Sequence, residues 1–105
     1  MYRATTPTHT FTLPDQAASY AEIHITYKQN STELIKHSEN GVLPPGMSFD
    51  DKDVIIRLTQ DETKLFIANK FVYIQVRVLT SGGDVYASKV FTCKINDVLN
   101  DEVLS

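Results

Sequence analysis

Three histidines are the residues of this sequence with the widest chemical repertoire, because imidazole binds metal ions and exchanges protons near neutral pH. His9, His24 and His37 fall in three different predicted strands, and no two of them have a separation typical of a metal site. The sequence therefore predicts incidental histidines and no metal centre.

Carboxylates are concentrated in Asp50, Asp51 and Asp53. A calcium loop of the EF-hand kind combines spaced acidic ligands with a central glycine and a distant glutamate. This stretch lacks that combination, so we expect an ordinary acidic turn.

Nucleophilic chemistry has equally little support in the sequence. Ser81 and Ser88 flank a predicted hairpin, and the chain contains no G-x-S-x-G elbow. Neither a pair of catalytic carboxylates nor a glycine loop for phosphate can be placed. We therefore predict a protein that is not an enzyme and that uses no cofactor.

The overall composition narrows the class of protein further. The 105 residues carry a formal net charge of -3, and 42% of them are hydrophobic. A chain of this size is expected to form one domain, residues 1–105, and it lacks the basic excess that would neutralise nucleic-acid phosphates. No apolar run approaches the roughly 20 residues of a membrane span. We expect synthesis in the cytoplasm, with neither nucleic acid nor a membrane as a partner.

Two strand-like runs on either side of Ser81-Gly82-Gly83-Asp84 organise the chain. In the first, Phe71 to Thr80, small branched residues alternate with larger polar or aromatic ones, which is the period-two pattern of a half-buried strand. The second, Val85 to Ile95, keeps no single phase, which indicates a bulge near Ser88 and Lys89. The glycines favour a tight hairpin between the two runs.

The remaining elements are shorter strands and one helical turn. Thr59 and Glu62 have the spacing of a capping box, which predicts a short helical turn before Phe71. The chain as a whole predicts an all-β fold, an immunoglobulin-like β-sandwich of six or seven short strands. The predicted strands begin near Thr8, Tyr20, Thr32, Val54, Phe71 and Val85, with a further one near Met47.

The in-phase apolar positions of three strands define the predicted core. They are Ile23, Ile25, Val54, Ile56, Leu58, Val72, Ile74, Val76 and Val78. The opposite face contains Arg57, Tyr73, Gln75 and Arg77, and tyrosine and arginine are residue types that protein interfaces favour. These four residues are a candidate contact surface if the strands that end at Leu58 and Leu79 share a sheet; the alternative is that they pack under another strand or loop.

Several motifs resemble a set of small prophage-encoded proteins of Gram-positive bacteria. The motifs are the opening YRATTPTHTF-LP, I-x-I-T-Y-x-Q from Ile23, L-T-Q-x-E-T-x-x-F from Leu58, I-Q-V-R-V-L-T from Ile74, and the closing L-N-D-E-V-L. The resemblance implies a virion-associated or tail-region protein of β-sandwich type, with no catalytic residues to transfer and with the virion as its later location.

Two functions from different classes remain open. The first is a non-enzymatic phage structural or assembly protein that contacts other phage structural proteins or itself as a homo-oligomer. The second is a ligand-binding or adhesion module. Carbohydrate modules usually offer exposed aromatic platforms, and this chain contains no tryptophan, so sugar binding at Tyr20, Tyr73 or Tyr86 would favour the second function.

Overall fold

The computed structural model describes residues 1–104, which form two antiparallel β-sheets. The strands are β1 (Thr8–Thr12), β2 (Tyr20–Gln29), β3 (Thr32–Glu39), β4 (Met47–Asp50), β5 (Asp53–Arg57), β6 (Phe71–Thr80), β7 (Val85–Ala87) and β8 (Phe91–Lys94). A short helix, α1 (Gln60–Lys64), connects β5 to β6, and a 3-10 turn at Ala17–Ser19 precedes β2. None of the helices within residues 1–104 is long and apolar enough to cross a membrane.

The strand order is that of an immunoglobulin-like sandwich. One sheet has the order β1-β5-β4, and the other has the order β3-β2-β6-β7, with β8 also paired to β6. These orders correspond to strands B-E-D in one layer and C′-C-F-G in the other. The predicted all-β sandwich with a short helical turn is confirmed. Residues 1–104 contain eight strands because the last predicted strand is divided into β7 and β8.

β7 and β8 are separated at the point where the alternation of apolar and polar residues in the sequence breaks down. Ser88 still pairs with β6, because its N–H donates to the Val76 carbonyl and its hydroxyl accepts a hydrogen bond from the Val76 N–H. The hydroxyl thus replaces a backbone carbonyl, and the ladder is interrupted until Phe91. The expected irregularity near Ser88 and Lys89 is therefore a break between two strands.

The core lies between the two sheets and contains all nine residues predicted for it. Six further apolar residues join them: Leu13, Ala17, Tyr27, Met47, Phe66 and Ile95. Phe66 follows α1 and is 1% exposed, whereas its neighbour Leu65 is 51% exposed. Each fully buried large side chain contributes about 1.5–3 kcal/mol to folding, so this single cluster is the main source of stability.

The turn after β5 is held by the predicted capping box. The Thr59 hydroxyl accepts a hydrogen bond from the Glu62 N–H, and the Glu62 carboxylate accepts one from the Thr59 N–H. Thr63, fully buried, donates its hydroxyl proton towards the carbonyls of Thr5 and Gln60. These bonds fix α1 against the N-terminal segment across one end of the sandwich.

Candidate functional site

An apolar cleft opens where the edges of the two sheets diverge, between β1 and β7. Its volume is about 650 Å³. Its lining, which defines the apolar cleft, includes Phe11, Leu13, Tyr20, Val78, Tyr86 and Phe91. The cleft is larger than two shallower depressions elsewhere on the surface, which have volumes of about 510 and 420 Å³.

The floor of the apolar cleft includes core-facing aromatic side chains that the three-stranded sheet leaves uncovered. Tyr86 lies opposite Val78 in the ladder, and Phe91 lies opposite Ile74, so both aromatic rings are on the inner face of their sheet. Val78 and Ile74 are buried, but Tyr86 is 61% exposed and Phe91 is 39% exposed. The three-stranded sheet is therefore too narrow to cover the end of the five-stranded one.

The β1 edge of the cleft has free backbone hydrogen-bonding groups. Leu58 N–H donates to the Pro7 carbonyl, and Leu13 N–H donates to the Lys52 carbonyl. The backbone N–H and C=O groups of the odd-numbered residues of β1 therefore point towards β5. Backbone groups alternate in direction along a strand. The N–H and C=O groups of Thr8, Thr10 and Thr12 consequently point away from the sheet, where β1 has no partner strand among those described.

The predicted contact surface is only partly brought together. Tyr73, Gln75 and Arg77 lie on the outer face of β6, where Tyr73 and Arg77 are exposed and the Gln75 amide donates to the Ser88 carbonyl at 2.9 Å. Arg57 belongs to β5, in the other sheet. The condition that the strands ending at Leu58 and Leu79 share a sheet is therefore not met, and Arg57 does not join the other three.

A histidine pair on the outer face of the five-stranded sheet is a further candidate. His24 and His37 are directly opposite each other on β2 and β3, and their rings stack with centroids 3.9 Å apart. Glu22 Oε1 lies 3.3 Å from His24 Nε2 and 2.9 Å from His37 Nε2. The two histidines lie in different strands, as expected, but the pairing of β2 with β3 brings their rings into contact, which the spacing in the sequence did not indicate.

The ring nitrogens of the pair affect the acidity of Glu22. Hydrogen bonds from His24 and then from His37 lower the pKa of Glu22 below its ordinary value. Glu22 is therefore ionised over most of the accessible pH range, and a carboxylate and two imidazoles are held together at a surface.

The position of the turn between β2 and β3 in the sequence indicates this cluster. Asn30 and Ser31 form the two-residue turn, with Asn30 in the left-handed region at φ 52°. His24 lies six residues before Asn30, and His37 lies six residues after Ser31. A two-residue turn pairs positions at equal distances from it, so the register places the two histidines opposite each other.

The third histidine has a different environment. His9 Nδ1 lies 2.7 Å from the hydroxyl of Tyr27, which is fully buried. Burial lowers the pKa of His9, and it raises that of Tyr27 far above the ordinary value. The ring of His9 therefore supplies the hydrogen-bond partner of a buried tyrosine hydroxyl.

The acidic turn is part of the structure of the β4–β5 hairpin. Asp53 Oδ1 accepts a hydrogen bond from the Thr12 hydroxyl at 2.6 Å. The Asp51 carbonyl accepts one from Ala17 N–H, and its side chain accepts one from Gln16. These contacts attach the turn to the segment after β1, as an ordinary acidic turn would.

A scan against protein-family models finds no match to the chain, and a search of curated proteins finds no match either. The function is therefore inferred from the cleft, the free strand edge and the resemblance of the sequence motifs.

Proposed function

We propose that the protein is a non-enzymatic structural or assembly component that works through protein–protein contact. The observation that carries this proposal is the free, uncharged edge of β1 beside the apolar cleft. The sequence resemblance adds the setting, which is the virion or the tail region of a prophage-encoded particle.

The side chains of β1 do not protect its edge. Natural proteins usually block exposed edges with charged residues, proline or bulges, because a free edge pairs with other chains. The sequence of β1 is THTFT, with no charged side chain and no proline. By contrast, the outer strand β3 contains Glu33, Lys36 and Glu39. An unprotected edge supports pairing as part of the function.

The occupant we propose is β1 of a second copy, related by a two-fold axis through Thr10. Antiparallel pairing about that axis places Thr10 opposite Thr10, and Thr8 opposite Thr12. The outward backbone groups of these three residues would form about six hydrogen bonds, two for each hydrogen-bonded pair. Threonine pairs across strands are also favourable, so the edge is complementary to itself, as a two-fold contact requires.

The same pairing would cover the apolar cleft. Phe11 and Leu13 are on the inner face of β1, whereas the threonines are on the outer face. A second β1 added to the sheet would extend this inner face over the exposed rings of Tyr86 and Phe91. Burial of that apolar surface supplies the driving force that a few edge hydrogen bonds lack.

Light scattering coupled to size-exclusion chromatography tests the proposal across a concentration series. We expect the wild type to approach twice the 11.8 kDa mass of one chain. Thr10→Lys should abolish the larger species, because two ammonium groups would face each other on the two-fold axis. Thr92→Lys is the matched control, since Thr92 is also an exposed strand threonine but lies on β8, outside the proposed contact.

Two results would contradict the proposed contact. One is a wild type that stays at the mass of a single chain at high concentration. The other is an assembly that survives Thr10→Lys but is lost in the double variant Tyr73→Ala with Arg77→Glu. The second result would transfer the contact to the outer face of β6.

A ligand-binding or adhesion module is the second candidate, favoured by the volume of the cleft. Its 650 Å³ falls within the range of about 300–1,000 Å³ typical of small-molecule pockets. Titration of the isotope-labelled protein with oligosaccharides and with a medium-chain fatty acid would separate the two functions. Saturable shifts at Tyr20 and Tyr86, in a protein that remains a single chain, would favour the module.

A further inference from the structure

The hairpin of β2 and β3 presents three potential metal-binding atoms on one side of the five-stranded sheet. One ring nitrogen of His24, one of His37 and a carboxylate oxygen of Glu22 all lie within 4.8 Å of one another. We propose that these three residues bind a divalent transition-metal ion of the Zn²⁺ class, independently of the cleft and of self-association.

The distances are close to those that zinc requires. Ligands at about 2.0–2.1 Å from a tetrahedral zinc ion are about 3.3 Å from each other. Glu22 Oε1 is already 3.3 Å from His24 Nε2 and 2.9 Å from His37 Nε2. A modest rotation of the side chains would therefore direct all three atoms at one ion.

The backbone register holds the ligands close together before any ion is bound. Asn40 N–H donates to the Ala21 carbonyl, which makes Ala21 and Asn40 a hydrogen-bonded pair. Alternation then makes His24 and His37 a non-hydrogen-bonded pair, the type in which opposite side chains are closest. Glu22 is two residues from His24 and shares its face.

The charges around the cluster also favour a cation. Glu39 lies directly opposite Glu22, and like charges in that position destabilise a strand pair. A bound divalent ion would reverse this effect. Arg77, opposite His24 on the other side, opposes cation binding, but it belongs to a hydrogen-bonded pair, in which side chains are farther apart.

The donor set selects the class of ion. Two imidazole nitrogens and one carboxylate suit zinc, cobalt or nickel, whereas calcium and magnesium require oxygen ligands. On binding, each imidazole would carry its proton on Nδ1 and offer the Nε2 lone pair to the ion. The side chains of the two histidines are 39% and 35% exposed, which leaves room for water as the fourth ligand.

Calorimetric titration of the untagged chain with Zn²⁺ tests the site. We expect one ion per chain, and His24→Gln and His37→Gln should each weaken binding by at least about tenfold. His9→Gln is the matched control and should leave the affinity within about twofold, because His9 lies on β1, in the other sheet. Co²⁺ in place of Zn²⁺ should give the visible absorption of a tetrahedral complex.

A measurement on the wild type makes the result independent of whether each variant folds. In nitrogen-correlated spectra of the histidine rings, Zn²⁺ should shift the Nε2 signals of His24 and His37 and leave those of His9 in place. Unshifted rings in the pair, uptake without a one-to-one endpoint, or binding that survives both histidine substitutions would each overturn the proposal.

Discussion

Lys36 Nζ lies 2.5 Å from Glu62 Oε2, and this ion pair joins β3 to α1 across the sandwich. The side chains are only 10% and 18% exposed, and the ammonium group also donates to the Pro45 carbonyl. The other oxygen of the same carboxylate accepts the Thr59 N–H. Glu62 therefore caps the helix and neutralises a largely buried lysine at the same time.

Replacement of Lys36 by Met should destabilise the fold, because the carboxylate of Glu62 would lose its partner in a largely buried position. We expect a loss of about 1–3 kcal/mol in the free energy of unfolding, between the values for exposed and fully buried pairs. Urea denaturation measures it. Lys28→Met, at an exposed position of β2, is the control, and an equal loss in the two variants would contradict a specific role for the pair.

Acid should weaken the same connection. Burial alone would raise the pKa of Glu62, but hydrogen bonds from Lys36 and from the Thr59 N–H outweigh it, so the pKa is below the ordinary 4.5. A carboxyl with a lowered pKa stabilises the fold above its unfolded pKa, and that contribution is lost as pH falls through the folded pKa. The urea concentration at the denaturation midpoint should therefore decrease as the pH falls below the ordinary 4.5, and it should decrease less steeply in Glu62→Gln.

The threonine of the capping box should contribute separately. Thr59→Ala removes the acceptor for the Glu62 N–H at one end of α1, and such losses cost about 1 kcal/mol. Thr6→Ala changes an exposed threonine nearby and should be close to neutral. An unchanged midpoint in Thr59→Ala would mean that the cap does not stabilise α1.

Gly46 should tolerate no side chain, for a reason that can be separated from its backbone angle. Gly41 and Gly46 have φ values of 80° and 83°, so alanine is strained at both. A Cβ at Gly41 meets no atom within 4 Å, whereas a Cβ at Gly46 would collide with the Arg57 carbonyl. Gly46→Ala should therefore cost more than about 1 kcal/mol and clearly more than Gly41→Ala, as measured by thermal unfolding. Equal costs would contradict the close approach.

Alternation in the sequence is sufficient to predict the core and much of the architecture. The valines and the isoleucine of β6 have a strict period of two from Val72 to Val78, as do the isoleucines of β2, and all of them are buried as expected. The assignment of strands to sheets is not local information. Arg57 and Arg77 have similar surroundings in the sequence, but they lie in different layers because β5 pairs with β1 and β4, while β6 pairs with β2.

The candidate sites show the same division between local and non-local information. The contact of His24 with His37 follows from the position of one turn, so it could be predicted once Asn30 and Ser31 were fixed as a two-residue loop. The apolar cleft could not be predicted in this way. Tyr86 and Phe91 are exposed on an inner face only because the opposite sheet ends at β1, which depends on the widths of two sheets.

The contact between His9 and Tyr27 should make stability depend on pH above the range of the carboxylates. Because burial lowers the pKa of His9, its folded value is below the ordinary 6.5. The unfolded chain then binds the proton more readily, so stability is highest above pH 6.5 and falls as the pH decreases from there towards the folded pKa. Protonation would also replace the acceptor at Nδ1 with a second donor facing the Tyr27 hydroxyl, whose raised pKa keeps its own proton in place.

The difference in unfolding free energy between the wild type and His9→Gln, followed from pH 8 to pH 5 in urea, isolates this effect from His24 and His37, which both proteins retain. We expect the wild type to lose its advantage on acidification. A difference that stays constant with pH would show that His9 does not become harder to protonate when the chain folds.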